Sequence, residues 1–142
     1  MGLSFQEKSL WLMLVSLAVT FAVYFYIAMG TALPTPAARN VMPHQVVYFV
    51  IAVIALVIVQ VAGFIVFAAM DRRTTTDERD RLIALKGTRN GSYVLATGVF
   101  FALCVALLTE GNFVFMHVLL AFWVLAQLTE TVSQLYFYRR GA

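Results

Sequence analysis

Four long runs of apolar residues, separated by short polar segments, cover most of this 142-residue chain. The runs extend over about 9–29, 45–70, 92–109 and 113–138. A helix needs roughly 20 apolar residues to cross the hydrocarbon core of a bilayer, and each run has about that length. The pattern predicts an all-α membrane protein, an antiparallel bundle of four transmembrane helices that residues 1–142 form as a single domain.

The composition agrees with a chain that lies in a lipid bilayer. Hydrophobic residues make up 62% of the sequence and charged residues 12%. A soluble domain of this size has no interior large enough for so much apolar surface. The net charge of +3 comes mostly from Lys and Arg beside the apolar runs. That placement is typical of membrane topology, so no nucleic-acid partner is expected.

The basic residues also predict the orientation. Most of them lie in the segment of about 71–90 and at the C-terminus, whereas the other two connections contain only Arg39. Lys and Arg are retained on the cytoplasmic side of membrane proteins. Both termini and the segment 71–90 are therefore expected in the cytoplasm.

The cytoplasmic loop of about 71–90 is the most patterned connection. Thr75 and Glu78 have the spacing of a capping box, with Thr75 as the N-cap and Glu78 reaching back to it. The apolar residues that follow predict a short amphipathic helix at the level of the lipid headgroups. Gly87 and Gly91 are expected to provide the bend into the third span.

The charged residues of this loop allow two interpretations. They could form a solvated connector that only enforces topology, or a docking surface for a cytoplasmic protein or an anionic lipid. The residues of this candidate docking loop are Asp77, Glu78, Arg79, Asp80, Arg81, Lys86 and Arg89.

The same loop carries a resemblance to a known family. Asp77-Glu78-Arg79-Asp80, Ile83, Lys86-Gly87 and Arg89 resemble the pattern of a family of small, predicted four-span bacterial membrane proteins of unknown function. The C-terminal segment 135–141 also resembles that family. The resemblance implies an address in the bacterial inner membrane. It implies no activity, substrate or catalytic residue.

Glu130 is the main candidate for a functional group within the bilayer. It lies in the fourth apolar run, where an ionisable side chain is costly and faces protein or water. At about 1.5 Å per helical residue, polar residues of all four runs fall at similar depths near the cytoplasmic side. This candidate polar layer consists of Ser16, Gln60, Thr97, Gln127, Glu130 and Gln134.

Three roles fit the polar layer. Glu130 could hold the helices together through a hydrogen bond to Gln60 or to a hydroxyl group. It could instead bind a proton or a cation in a water-filled cavity, as in small transporters. Four helices without paired half-repeats could transport only as an oligomer. The third possibility is a polar contact across a subunit interface.

A second cluster is expected near the opposite membrane surface. His44 begins the second run, His117 lies one turn into the fourth, and Glu110 stands in the turn before it. Two histidines from different helices could hold a haem, and with Glu110 they could hold a metal ion. Isolated interfacial histidines are more often amphipathic boundary residues, so no cofactor is expected.

Helix three contains small residues at intervals of four, Gly98, Ala102 and Ala106. Such a stripe allows close helix packing, either within the bundle or in a homodimer. The chain shows no constellation of nucleophile, base and orienting residue, so no enzyme is expected. The sequence favours an accessory or regulatory membrane subunit that works through protein contacts. An oligomeric transporter and a haem or metal protein are the alternatives.

Overall fold

The protein consists of four long α-helices. The computed structural model describes residues 5–30, 40–70 and 77–140. The helices are α1 (Phe5–Gly30), α2 (Pro43–Met70), α3 (Glu78–Leu108) and α4 (Phe113–Arg140). Each of the four is long and apolar enough to cross a membrane. The expected all-α four-helix bundle is confirmed, and the chain is a multi-pass membrane protein.

The start of α3 differs from the expected capping box. The N-cap is Asp77, whose carboxylate accepts a hydrogen bond from the backbone N–H of Glu78 at 2.7 Å. Asp80 reaches back and accepts from the N–H of Asp77 at 3.2 Å. Aspartate caps a helix as well as threonine does, and Asp80 occupies the third helical position where the reciprocal acceptor belongs. The box predicted at Thr75 and Glu78 is therefore wrong, and Thr75 itself lies outside the described residues.

The segment expected as a separate amphipathic helix is the first part of α3. The helix continues from Glu78 through Gly87 and Gly91 to Leu108 without interruption. Both glycines are buried against α4 instead of forming a bend. A Cβ atom at Gly91 would lie 2.9 Å from the carbonyl oxygen of Ala126. The glycines thus allow the two helix backbones to approach closely.

The helices pack in the order α2, α1, α4, α3, and each neighbouring pair is antiparallel. Phe5 and Tyr24 of α1 pack against Phe64 and Phe49 of α2, respectively. In the described part of the chain, α2 packs against α1 alone and α3 against α4 alone. The bundle is therefore open between α2 and the α3–α4 hairpin.

We call the side with the α1–α2 and α3–α4 connections the connection end, and the opposite side the termini end. The hydrophobic core lies between α1 and α4 toward the connection end, around Leu17, Phe21, Tyr24 and Val124. Phe21 meets Trp123 edge to face, with ring centroids 5.8 Å apart. Such edge contacts add to the packing of the α1–α4 interface.

The α3–α4 hairpin is the most closely packed pair. Gly98 lies against the side chain of Phe122, and a Cβ atom at Gly98 would collide with that ring. Ala102 is buried as well, whereas Ala106 is exposed. The stripe of small residues in α3 thus packs within the bundle over most of its length. Gly111, with φ of 85°, takes the left-handed conformation that the tight turn requires.

Candidate functional site

The open side of the bundle contains a large apolar cavity toward the connection end. Its volume is about 700 Å³, and residues of all four helices contribute to its wall. Most lining side chains are aliphatic or aromatic, including Phe21, Phe49, Leu120 and Trp123. We call this cavity the groove. Its size and apolar character are those of small-molecule sites in proteins.

Three polar side chains lie in the wall of the groove, and all three are buried: Tyr24, Gln45 and His117. His117 is only 5% exposed, and both of its ring nitrogens are engaged. Nδ1 lies 2.8 Å from the carbonyl oxygen of Phe113, and Nε2 lies 3.3 Å from the hydroxyl of Tyr24. A carbonyl only accepts, so Nδ1 carries the proton and Nε2 accepts from Tyr24.

Gln45 is 2% exposed, and the described residues engage only the oxygen of its carboxamide. Its oxygen accepts the backbone N–H of Met42 at 3.0 Å, which fixes the side chain at the first turn of α2. Its NH₂ group has no hydrogen-bond partner among residues 5–30, 40–70 and 77–140. Among the described residues no fully buried side-chain nitrogen or oxygen lacks a hydrogen-bond partner, so this NH₂ group keeps some exposure. An accessible amide donor at the wall of an apolar cavity is a group that a ligand can satisfy.

Asparagines hold the connection end of the groove together. The side-chain oxygen of Asn112, in the α3–α4 turn, accepts the backbone N–H of Val41 at 2.8 Å. The side-chain oxygen of Asn40 accepts the N–H of Asn112 at 3.3 Å. The start of α2 is thereby fixed to the start of α4, although the two helices do not pack against each other farther along.

The contacts of His44 and His117 give no support to the alternative of a haem or metal site. The ring of His44 packs on Tyr48, 5.9 Å between centroids, whereas His117 is bonded to Tyr24 and Phe113. Among the residues that the structure describes, no three His, Cys, Asp or Glu side chains are grouped to hold a metal ion. Iron ligation through Nε2 of His117 would require the loss of the Tyr24 hydrogen bond.

Glu130 lies in the α3–α4 interface. Its carboxylate accepts hydrogen bonds from the hydroxyl of Thr88 at 2.8 Å and from the amide of Gln134 at 3.3 Å. A Cβ atom at Gly91 would come within 3.1 Å of the Cβ of Glu130. The hydroxyl partner expected from the sequence is thus Thr88, on the segment of α3 that the sequence had assigned to the loop.

The other members of the polar layer fall into separate contacts. Gln60 of α2 donates to the hydroxyl of Ser16 of α1 at 2.9 Å. Thr97 donates to the carbonyl of Tyr93 in its own helix at 2.9 Å. The backbone carbonyl of Gln127 accepts from Thr131 at 2.8 Å. The described residues show one hydrogen-bonded pair between α1 and α2 and another set between α3 and α4, without a bond that joins them.

The candidate docking loop is partly used inside the molecule. Asp80 accepts a hydrogen bond from the hydroxyl of Tyr138 at 2.7 Å in addition to its role in the cap. The ammonium of Lys86 lies 5.2 Å from the ring centroid of Phe137. The remaining members are exposed to solvent: Asp77, Glu78, Arg79, Arg81 and Arg89.

Two arginines at the end of α4 also lie over aromatic rings. The guanidinium of Arg139 is 5.8 Å from the ring centroid of Trp11, and that of Arg140 is 4.9 Å from the ring centroid of Tyr136. Cation–π contacts of this kind hold the charges at the termini end of the bundle.

Helix α2 presents a regular apolar face on the side opposite α1. Every member of this face is exposed, and successive members are separated alternately by four and three residues. We call this face the α2 seam: Ile51, Ala55, Ile58, Ala62, Ile65 and Ala69. A four–three spacing is the heptad pattern of helices that pack along each other.

Sequence reasoning missed the polar part of the groove. Neither Tyr24 nor Gln45 is among the site residues that the sequence predicts. The one local signal was Gln45, a polar residue at the first turn of a very apolar helix. The contact of Tyr24 with His117 has no sequence signal, because 93 positions separate the two residues.

Comparisons of the chain with protein-family models, with curated proteins and with solved structures found no match.

Proposed function

We propose that this chain is a non-enzymatic accessory or regulatory subunit that binds a transmembrane helix of another membrane protein through the α2 seam. The observation that carries the proposal is the position of α2 at the edge of the bundle. Only Gln45 of its 28 residues is buried, although α2 is the most apolar of the four helices.

The composition of the α2 seam favours a helix over lipid as its neighbour. Lipid tails contact any apolar surface equally well, so they do not require small residues at heptad positions. Three alanines lie in the α2 seam, on the side opposite α1, which is the helix that α2 packs against in the described part of the chain. Small residues alternating with isoleucines allow a second helix to approach closely and to interdigitate.

The other functions considered from the sequence receive less support. Glu130 is half-buried at the α3–α4 interface, where its carboxylate is hydrogen-bonded to Thr88 and Gln134. It lines neither the groove nor the smaller cavity of about 210 Å³ beside Asp80 and Tyr138. A transport role for Glu130 would need its carboxylate to exchange its hydrogen bonds with Thr88 and Gln134 for a proton or a cation. A haem or metal role would need His117 to change its partners.

The proposed setting is the bacterial inner membrane, with both termini and the start of α3 in the cytoplasm. The excess of Lys and Arg at the termini end supports that orientation. The segment from Asp77 to Arg89 resembles small four-span bacterial proteins, which supports a location in the bacterial inner membrane. The exposed arginines Arg79 and Arg81 then offer the same partner a second, aqueous contact.

Site-specific photo-crosslinking in living cells tests the proposal. A benzophenone amino acid at Ile58 of the α2 seam should form an adduct with one membrane protein. The matched control is Val57, which is 54% exposed against 61% for Ile58 and points about 100° away around the helix. The same partner should be found from Ile51 and Ile65, and in low yield from Val57.

A substitution shows whether the adduct depends on helix packing. Ala62→Trp places a large ring in the α2 seam and should lower the adduct yield about tenfold, which corresponds to a loss of about 1.4 kcal/mol. Val57→Trp should leave the yield unchanged. Adducts that contain only a second copy of this chain, or equal yields from Ile58 and Val57, would contradict the accessory role.

A further inference from the structure

We propose that the groove is a binding site for one acyl chain of a bilayer glycerolipid, with the ester carbonyl of the lipid hydrogen-bonded to the NH₂ group of Gln45. This site is separate from the α2 seam, because the groove is lined by Val46, Val50 and other residues on a different side of α2.

The first argument is the environment of the groove. It opens on the side of a membrane-spanning bundle where α2 does not reach α3 or α4. A wall of aliphatic and aromatic side chains gives water too few polar partners to occupy the space. Within a bilayer the molecules that can enter from this side are hydrocarbon chains.

The second argument is the position of the polar groups. Gln45 and His117 lie in the first turns of α2 and α4, at the connection end. This is the level at which the hydrocarbon core gives way to the headgroup region, where the ester groups of glycerolipids lie. The cavity extends from there along Phe49, Val53 and Trp123, toward the bilayer centre. A chain with a polar group at one end matches this arrangement.

The third argument concerns the hydrogen bonds. The carbonyl oxygen of Gln45 is occupied by Met42, so the carboxamide can only donate to a ligand. Tyr24 uses its proton toward His117, so the pair offers a ligand no further donor. Among the described residues that line the groove, the side-chain donor without a partner is the NH₂ of Gln45, and its complement is an acceptor such as an ester carbonyl.

The charge of the wall distinguishes a glycerolipid from a free fatty acid. Among the described residues that line the groove, none is Lys, Arg, Asp or Glu. A carboxylate buried among these side chains would find no counter-charge on them, which is costly in an apolar environment. A neutral ester places its carbonyl at Gln45 and leaves the phosphate or sugar of the headgroup outside.

Native mass spectrometry of the full chain, released from membranes in a mild detergent, tests the assignment. Wild-type protein should retain one added mass per chain, and fragmentation should identify it as a glycerolipid. Val50→Trp, which fills the groove from its α2 wall, should lower the lipid-bound fraction about tenfold. Leu120→Trp fills it from the α4 wall and should have the same effect. Loss of lipid in both variants could not be explained by misfolding of one of them.

Two controls separate this site from the proposed function. Val59→Trp introduces the same ring at an exposed position of α2, about 180° around the helix from Val50 and outside the groove, and should retain lipid like the wild type. Ala62→Trp should lose partner adducts and keep the lipid. Val50→Trp should lose the lipid and keep the partner adducts. The proposal is overturned if wild-type protein carries no lipid, if Val50→Trp and Leu120→Trp retain it fully, or if the bound molecule is a free fatty acid or lacks an acyl ester.

Discussion

The hydroxyl of Tyr24 donates a hydrogen bond to Nε2 of His117 over 3.3 Å and joins α1 to α4 at the wall of the groove. The two rings are also stacked, with an interplanar angle of 8° and a centroid distance of 6.0 Å. Because Nδ1 of His117 is fixed by Phe113, the ring has a single orientation and a single tautomer. The Tyr24–His117 pair is therefore a rigid polar element in an otherwise apolar interface.

We expect Tyr24→Phe to lower the free energy of unfolding by about 0.6 kcal/mol and by no more than about 1.7 kcal/mol, the range of hydrogen bonds between membrane helices. The measurement is a titration with SDS in mixed micelles. Tyr26→Phe is the control, because Tyr26 is 83% exposed and should give no change. Equal effects of the two substitutions would show that the bond to His117 does not stabilise the fold.

Close packing of α3 on α4 makes Gly98 intolerant of larger side chains. Gly98→Leu should cost about 1–3 kcal/mol, the usual cost of overpacking, because its Cβ atom would collide with the Cβ of Phe122, which cannot move without the backbone of α4. Ala106→Leu adds a similar volume on the exposed side of the same helix and should change stability by less than about 0.5 kcal/mol. The same SDS titration compares them. A tolerated Gly98→Leu would mean that the hairpin is looser than described.

Asp80 has two partners, and its removal should affect both. Asp80→Ala should lower the free energy of unfolding by about 0.5–2 kcal/mol, since the capping box is lost together with the acceptor for Tyr138. Glu78→Ala, which removes an exposed carboxylate from the same first turn, should cost less. Hydrogen exchange of the amides in the first turn of α3 should rise in the Asp80 variant alone. Equal exchange in both variants would contradict the cap.

The predicted orientation can be tested with single cysteines. In a chain where Cys104, the only cysteine, is replaced by alanine, Thr109→Cys lies in the α3–α4 turn and Glu78→Cys at the other end of α3. A membrane-impermeant maleimide added to intact cells should label the Thr109→Cys chain and leave the Glu78→Cys chain unlabelled until the membrane is permeabilised. The reverse pattern would place both termini outside.

The length and apolar character of the four runs were sufficient to predict the helices themselves. The start of α4 at Phe113 and the end of α2 at Met70 agree with the runs read from the sequence. The start of α3 was missed because Lys, Arg and Asp between Asp77 and Asn90 interrupt the apolar run. Helical hydrogen bonds do not require apolar side chains, so α3 continues beyond the part that contacts lipid.

The candidate site was less predictable, because periodicity does not say which helices are neighbours. The spacing of Gln127, Glu130 and Gln134 indicates one face of α4, but only the packing order shows that Glu130 meets Thr88 of α3. The groove exists because α2 does not close the bundle, which is a property of the whole arrangement. Gln45 and Tyr24 acquire a common role only through that arrangement.

The cations that rest on aromatic rings also determine how deep the protein lies in the membrane. Lys86, Arg139 and Arg140 each lie over a ring at the termini end. A shift of the molecule toward the bilayer centre would draw these charges into hydrocarbon, at a cost of up to about 2.5–3.5 kcal/mol for each charge that reaches the midplane. The three side chains therefore fix the depth of the protein in the bilayer. They keep Gln45, near the far surface, at one level relative to the surrounding lipid headgroups.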